Sequence, residues 1–509
     1  MNLKKVMCSY LALLAAASFA ETYTWHGEGE QSLPAGGAWG VAENWRVGSE
    51  RATQIPSVTD TAQFVGDQSP TVTFDADYTV SSVTIPNNDA NKPKVTFNLG
   101  GHTLSVTNAL RIQKAWNRAL GFVLTNGTVT TRDVSCGITA ANEWDWGAGL
   151  LSVQGANTEL YITNRLDVIG SYATLDVANG AKVNCGILQA STGQSGGKAI
   201  ISGVGSQLTV RSDFRLRDRF ALTVSDGGKV LASQTSGRVM IGNIRSGGRD
   251  ACMTVDGGTF EVSSTDVTVG DVDSGSVRSN ALVLTHGAVM TMAKKLVLGT
   301  GHLGGQLWNN MLLVRDGSTV TGSATSEIWA HGINRDRVYY SRENLVEIDD
   351  STVSVMRLKV GNVGPKPTSS NNVLKVCGPR AKIALSGTAT DAFTLRMGSE
   401  LHMTIPEGGF NATPIQALNG GATIVDDLEN GAKKVGFFFD AGAYSRKHKG
   451  QPVTLIECGL DSAESLQRLA DNVTYVNTPE NLRGTLEVVD GKKLVYNPPP
   501  APGLILLFK

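Results

Sequence analysis

The sequence predicts an all-β fold, a parallel β-helix of about three strands per coil with coils of roughly 24–34 residues, and three observations carry the prediction. Gly227, Gly257, Gly287 and Gly317 recur every thirty residues. Each follows a short run with apolar residues two apart: Leu222-Thr-Val224, Met253-Thr-Val255, Leu282-Val-Leu284 and Leu312-Leu-Val314. Residues two apart share one face of a strand, so each run has an inward side. A second apolar run follows each glycine, as in Lys229-Val230-Leu231 and Ser318-Thr319-Val320, and a third ends on Gly242, Gly270 or Gly299. Three strands and three turns per repeat describe one coil, which stacks on the previous coil at about 4.8 Å.

The repeating glycines suit turns that need positive φ, which a side chain resists. Asp226, Asp256 and Asp316 beside them are expected to close those turns through their own carboxylates. Asn280, Asn310, Asn344 and Asn372 each stand just before a first strand. Asparagine tolerates left-handed backbone and stacks into ladders, so these four are expected to form turns joined from coil to coil.

At 509 residues the chain exceeds one ordinary domain. An elongated array escapes that limit because each coil touches only its neighbours. Charged residues make up 18% of the chain and the formal net charge is -1, which speaks against a nucleic-acid partner or a polybasic membrane surface. No apolar run reaches the ~20 residues that span a bilayer as a helix. Hydrophobic residues at 41% suffice for a continuous core.

Taken in order, residues 1–20 have the pattern of an export signal: Lys4 and Lys5, an apolar run from Leu11 to Ala17, then Ser18-Phe19-Ala20 for cleavage. A mature start at Glu21, a bacterial origin and a secreted or cell-surface location are expected. Cleavage would leave Cys136, Cys185, Cys252, Cys377 and Cys458, expected as small strand residues and not as bridges. Residues 21–98 are expected to form an N-terminal β-rich capping module, with Trp25, Trp39 and Trp45 plugging the open end. The parallel β-helix follows over 99–392. A C-terminal β-rich module over 393–497 contains one short helix, capped by Asp461 with Glu464 and buried through Leu466 and Leu469. Residues 498–509 give a proline-rich spacer and an apolar tail, either a last strand or a sorting signal.

Trp25-His-Gly27, Asn44-Trp45, the stretch from Pro56 to Phe64 and the Leu-x-Val-x-x-Gly coils together resemble secreted β-helix proteins with autotransporter-associated β-strand repeats. The resemblance covers most of the chain after residue 20. It implies a right-handed parallel β-helix, at the cell surface or outside the cell, with an adhesive or structural role. No C-terminal segment is expected to form a membrane barrel of ~10-residue alternating strands.

Function is sought where the chain departs from the repeat. Insertions at 271–279, 301–310, 331–343 and 364–371 all lie between a third strand and the next first strand, which would align them on one side. Trp308, Tyr339 and Tyr340 fall in these insertions, and Trp144 and Trp146 would share one face if extended. These five are the candidate ligand-binding residues, with aromatic rings suited to sugars; Trp329 is a further aromatic. Asp349 and Asp350, with His331, Arg357 and Lys359 nearby in sequence, are the strongest carboxylate group for a hydrolase. Both aspartates also occupy the repeating turn position. Asp271-Val-Asp273-Ser-Gly275 begins like a calcium loop without further oxygen ligands. The expectation is therefore a non-enzymatic, exported protein for adhesion, surface structure or glycan binding, with polysaccharide or surface proteins as partners and no cofactor or metal. The alternatives are a polysaccharide lyase or hydrolase on the same scaffold, and a fibre-forming protein built by end-to-end stacking.

Overall fold

A computed structural model describes residues 20–27, 36–66, 69–86, 94–113, 120–137, 147–191, 197–232, 237–244, 249–272, 276–301, 306–330, 333–334, 340–361, 369–396, 398–426 and 434–500. The coils expected from the glycine period form, and they stack as three parallel sheets. In the first sheet, Leu222, Met253, Leu282, Leu312, Val346 and Leu374 pair in register from coil to coil, each almost wholly buried. The second sheet carries Val230, Phe260, Met290, Val320, Val353 and Ile383 in the same way. The third carries Phe214, Val239, Val267, Leu296, Ile328 and Leu358. The period-2 alternation of each short run thus sends one side chain inward to a common core and the next outward. Thr103–Ile112, Gly121–Cys136 and Ala148–Ile169 are long strands that pass from one sheet to another, with register shifts where they bend.

Coil length runs from 21 residues between the paired Ala62 and Val83 to 41 between Ile415 and Ile456, beyond the expected range at both limits. The stack also extends past both expected module boundaries. Before residue 99, Thr61–Gln63 and Thr71–Thr73 already pair in parallel with Tyr78–Ile85 and Lys94–Asn98. After 392, Glu400–Thr404, Gly436–Asp440 and Val473–Tyr475 continue the first sheet. The thirty-residue period is a property of the loops, whereas strand pairing depends only on the alternation within each strand. Longer loops therefore erased the period without ending the helix.

The repeating turns have the expected positive φ: 54° and 79° at Asp226-Gly227, 52° and 73° at His286-Gly287, 54° and 75° at Asp316-Gly317. The aspartates do not close their own turns as expected. Asp316 Oδ2 accepts a hydrogen bond from Thr285 Oγ1 (2.5 Å), and Asp256 Oδ1 lies 2.6 Å from His286 Nδ1, so both reach the neighbouring coil. Backbone bonds do likewise, with Gly287 N donating to Asp316 O (2.9 Å) and Gly317 N to Asp350 O (3.0 Å). A left-handed pair turns the chain by itself and leaves the side chain for the next coil.

Trp25, Trp39 and Trp45 are buried at the first coils, Trp45 edge-on to both others at 4.9 and 4.8 Å. Phe64, Phe97 and Phe122 continue the aromatic stack inward. Over this plug, Thr22–Trp25 pairs antiparallel with Trp45–Val47, which pairs with Glu50–Arg51. At the other end two short helices occur, α1 (Gly442–Lys447) and α2 (Ala463–Asp471). Leu466 and Leu469 of α2 are buried as expected, but the capping box is not formed. Asp461 accepts only the Ala463 N–H (3.0 Å), and Glu464 pairs forward with Arg468, one turn along the helix. Antiparallel Lys493–Asn497 closes the second sheet against Val453–Cys458. The five described cysteines are unbridged; Cys136, Cys185 and Cys458 are buried. Burial pushes the thiols of Cys136 and Cys185 up to about 12.

Candidate functional site

The aligned insertions begin at a corner built around asparagine. Asn280, Asn310, Asn344 and Asn372 are fully buried. Their amides form a continuous ladder: Asn280 Nδ2 donates to Asn310 Oδ1 (3.0 Å), Asn310 Nδ2 to Asn344 Oδ1 (3.1 Å), and Asn344 Nδ2 to Asn372 Oδ1 (2.8 Å). The main chain joins in, with Ala251 N donating to Asn280 Oδ1 at 3.1 Å. The third-strand glycines make the room. A Cβ at Gly242 would come within 2.1 Å of the Asn280 amide carbon, and one at Gly270 within 2.4 Å of the Asn310 amide oxygen. Both glycines also have positive φ, at 82° and 81°.

Beyond these bulges the insertions stack as a fourth, separate parallel sheet of Ser276–Arg278, Gln306–Trp308, Tyr340–Arg342 and Ser369–Ser370. Its alternation is strict: Val277 and Leu307 form a small buried cluster, whereas Arg278 is exposed and Trp308 half-buried. In register, Trp308 stands between Arg278 and the exposed Arg342. Arg249 joins the row through a parallel bridge to Arg278. Each neighbour is about 4.8 Å along the helix axis, so arginine, arginine, indole and arginine form one outward ribbon. The next residue in each coil, Asp250, Ser279, Asn309 and Glu343, has φ between 51° and 60° and leads into the buried corner. The Trp308 Nε1–H is shielded from solvent and has no hydrogen-bond partner among the described residues.

Of the five aromatic candidates, Trp308 therefore lies on the ribbon, and the Tyr340 backbone pairs with Gln306 in the same sheet. Tyr339, Trp144 and Trp146 lie outside the described residues. The three arginines of the ribbon were not singled out from the sequence. Their signal was present: Arg249, Arg278, Trp308 and Arg342 each stand two residues before the buried corner residues Ala251, Asn280, Asn310 and Asn344.

A second aromatic group lies on the outer side of the third sheet. Lys295 Nζ sits 3.8 Å from the Trp329 ring centroid and Lys359 Nζ 5.4 Å from it, while Trp329 Nε1 donates to Glu327 Oε2 (2.5 Å). Arg357 pairs with Glu327 (3.5 Å), and Lys359 with Asp391 (3.1 Å). Burial alone would raise the Asp391 pKa, but the hydrogen bond and charge of Lys359, with Arg357, hold it below the usual carboxylate value. This group is internally matched, with cations already on the indole.

The sequence placed Asp349, Asp350, Arg357 and Lys359 in one possible catalytic set, and the fold separates them. Asp350 sits at the turn between first and second sheets, where Arg380 binds its carboxylate through Nε (2.9 Å) and backbone N (2.9 Å). The Arg380 hydrogen bond holds its pKa below the ordinary value. Arg357 and Lys359 belong to the third sheet and face Glu327 and Asp391. His331 lies outside the described residues. Glu347, the most buried carboxylate of the first sheet, is clamped by Arg315 (2.7 Å) and Lys375 (3.2 Å) from the coils on either side. Of the calcium-like loop, Asp271 accepts the Thr300 hydroxyl (2.5 Å), and 273–275 lie outside the described residues. Among the described residues, no group of three or more His, Cys, Asp or Glu side chains is set to hold a metal, and no helix is long and apolar enough to cross a membrane.

Fold and ribbon together define a parallel β-solenoid with a laterally stacked accessory sheet. No protein-family model, curated protein or solved structure matches the chain.

Proposed function

We propose that this is an exported, non-enzymatic β-solenoid of the cell surface or extracellular space, which binds glycan along its accessory sheet in adhesion or surface architecture. The single observation that supports this reading is the ribbon, where insertions of successive coils stack and present Trp308 between Arg278 and Arg342. An aromatic ring on a rigid sheet offers a flat apolar surface to a sugar, and the flanking guanidinium groups offer donors to its oxygens. The carboxylates most plausible for acid and base work are instead committed to ion pairs between coils, as at Glu347 and Asp350. Export is supported by the leader pattern of the first twenty residues.

The test is a glycan-array screen of the purified chain beside Trp308→Ala, with assays for new reducing ends and unsaturated products on every glycan bound. Binding that weakens in Trp308→Ala, with no cleavage, is expected. Turnover of any bound glycan would replace this reading with that of a polysaccharide-cleaving enzyme.

A further inference from the structure

We propose that the ribbon's ligand is a linear acidic glycan, its sugar ring lying on Trp308 and its carboxylates held by Arg278 and the neighbouring arginines; this rests on the glycan-binding reading above. The argument begins from charge pairing. On the stacked coils some outward cations are met by an anion on the same or an adjacent coil, Lys229 by Glu261, Arg315 and Lys375 by Glu347, Lys359 by Asp391 and Arg380 by Asp350, whereas others, such as Lys182, Lys198 and Lys382, have no ion pair among the described residues. Arg249 and Arg278 belong to the second group, since among the described residues no ion pair engages either one, and they differ from its other members in standing in one register row with an indole. Asp218 accepts the Arg249 main-chain N–H (3.3 Å) rather than its guanidinium, and Asp250 and Glu343 occupy the adjoining turn. These three carboxylates equal the ribbon's three arginines in formal charge, so what is offered to an anion is the outward guanidinium groups themselves and not a net positive field. The ribbon is thus suited to a ligand with spaced charges and not to a dense polyanion.

Geometry narrows the class further. The ribbon places two guanidinium groups on one side of the indole and one on the other, at the fixed pitch of about 4.8 Å per coil. A planar guanidinium grips a carboxylate through two parallel hydrogen bonds. The ring between them demands a stacking surface, which a sugar supplies and a bare phosphate chain does not. A linear polymer in which acid groups alternate with sugar rings matches this order, running along the row from coil to coil.

The experiment is calorimetric titration of the full chain with an oligomeric uronate, a neutral oligosaccharide of equal length and inorganic polyphosphate, at low and at physiological salt. Arg278→Ala, Arg278→Lys and Trp308→Ala are compared, each checked for an unchanged circular dichroism spectrum. The uronate should bind and weaken with salt. Arg278→Ala should cost about tenfold in affinity, the size of one charge-assisted hydrogen bond. Arg278→Lys should recover only part of this because the fork is lost. Trp308→Ala should weaken the uronate and leave any residual polyphosphate binding unchanged. Neutral and acidic oligomers bound equally, with dependence on Trp308 alone, would overturn the acidic specificity while leaving glycan binding intact. Polyphosphate bound as tightly as uronate would also overturn it. Failure of all sugars to bind would overturn both readings.

Discussion

Gly270 and Asn310 work as one device: the glycine vacates the space that the asparagine amide fills, and the amide then ties its coil to the next. Gly270→Ala places a methyl 2.4 Å from that amide at a φ of 81°, combining overlap with backbone strain. It should destabilise by at least about 3 kcal/mol in urea unfolding. Gly287→Ala provides the contrast, because nothing lies within 4 Å of its Cβ position and only the φ of 73° resists. Its cost should be about 1 kcal/mol. A result in which the two cost the same would mean that the ladder adds nothing at Gly270. Asn310→Ala leaves the Asn280 donor and its neighbours without partners in a dry interior, and about 2 kcal/mol or more should be lost. The residue scale also sets a pH signature. The hydrogen bond and charge of Asp256 raise the His286 pKa above 6.5, whereas burial and Arg46 lower that of His26. For His286 the raised pKa means a contribution fully present below 6.5 that is lost as pH rises through the folded value. Both rings should therefore titrate on opposite sides of 6.5 in proton NMR, and Asp256→Asn should bring His286 back toward it.

At the scale of elements, the open edge of the third sheet shows how the stack is ended. Ala422–Val425 is its last strand, and two serines of the α2 region accept its free N–H groups: Ser462 Oγ from Ala422 N (2.9 Å) and Ser465 Oγ from Ile424 N (3.2 Å). A helix with hydroxyls thus stands where a further strand would pair. Ser462→Ala with Ser465→Ala should leave both donors unsatisfied and cost about 2 kcal/mol or more, read as early exchange of the Ala422 and Ile424 amides. Much of this architecture was legible in the sequence, since Leu222, Met253, Leu282 and Leu312 carry the core file and Gly227 and Gly287 the turns. The asparagine ladder was legible because each rung precedes a strand start. The helix cap was not, because Asp461 and Glu464 fit the local pattern while Arg468, a turn further on, competed for Glu464. Nor was the arginine ribbon, whose members are 29 to 34 residues apart with no shared chemistry at Trp308. A row across coils exists only once the register is known, and the varying insertion lengths conceal it.

For the whole molecule, a stack in which each coil touches only its neighbours has the energetics of a one-dimensional array, so its ends decide whether it stays single or grows. Both ends are covered by different means. An antiparallel hairpin lies over the tryptophan plug at one end, while α2 and antiparallel Lys493–Asn497 close the third and second sheets at the other. The edges left are short: Gly37–Ala38 and Val473–Tyr475 of the first sheet, of two and three residues, and in the second Tyr78–Val80 and the five-residue Thr485–Val489, which forms a hairpin with Lys493–Asn497. Edges this short offer few main-chain groups to a second copy. End-to-end fibre growth, one of the roles the repeats alone would permit, thus has no long strand to start from. The purified chain from Glu21 should give the same mass by light scattering over a hundredfold range of concentration. Removing 461–500 would strip α2 and the closing hairpin together, exposing the edges of Ala422–Val425 and Val453–Cys458. That variant should associate with rising concentration, and Trp39→Ala, which loosens the opposite plug at a cost of about 3 kcal/mol or more, should lower stability without association because the hairpin edge remains paired. A truncated chain that stays monomeric would mean that the covered ends are not what limits growth, and that the outward charges of the coils keep copies apart instead.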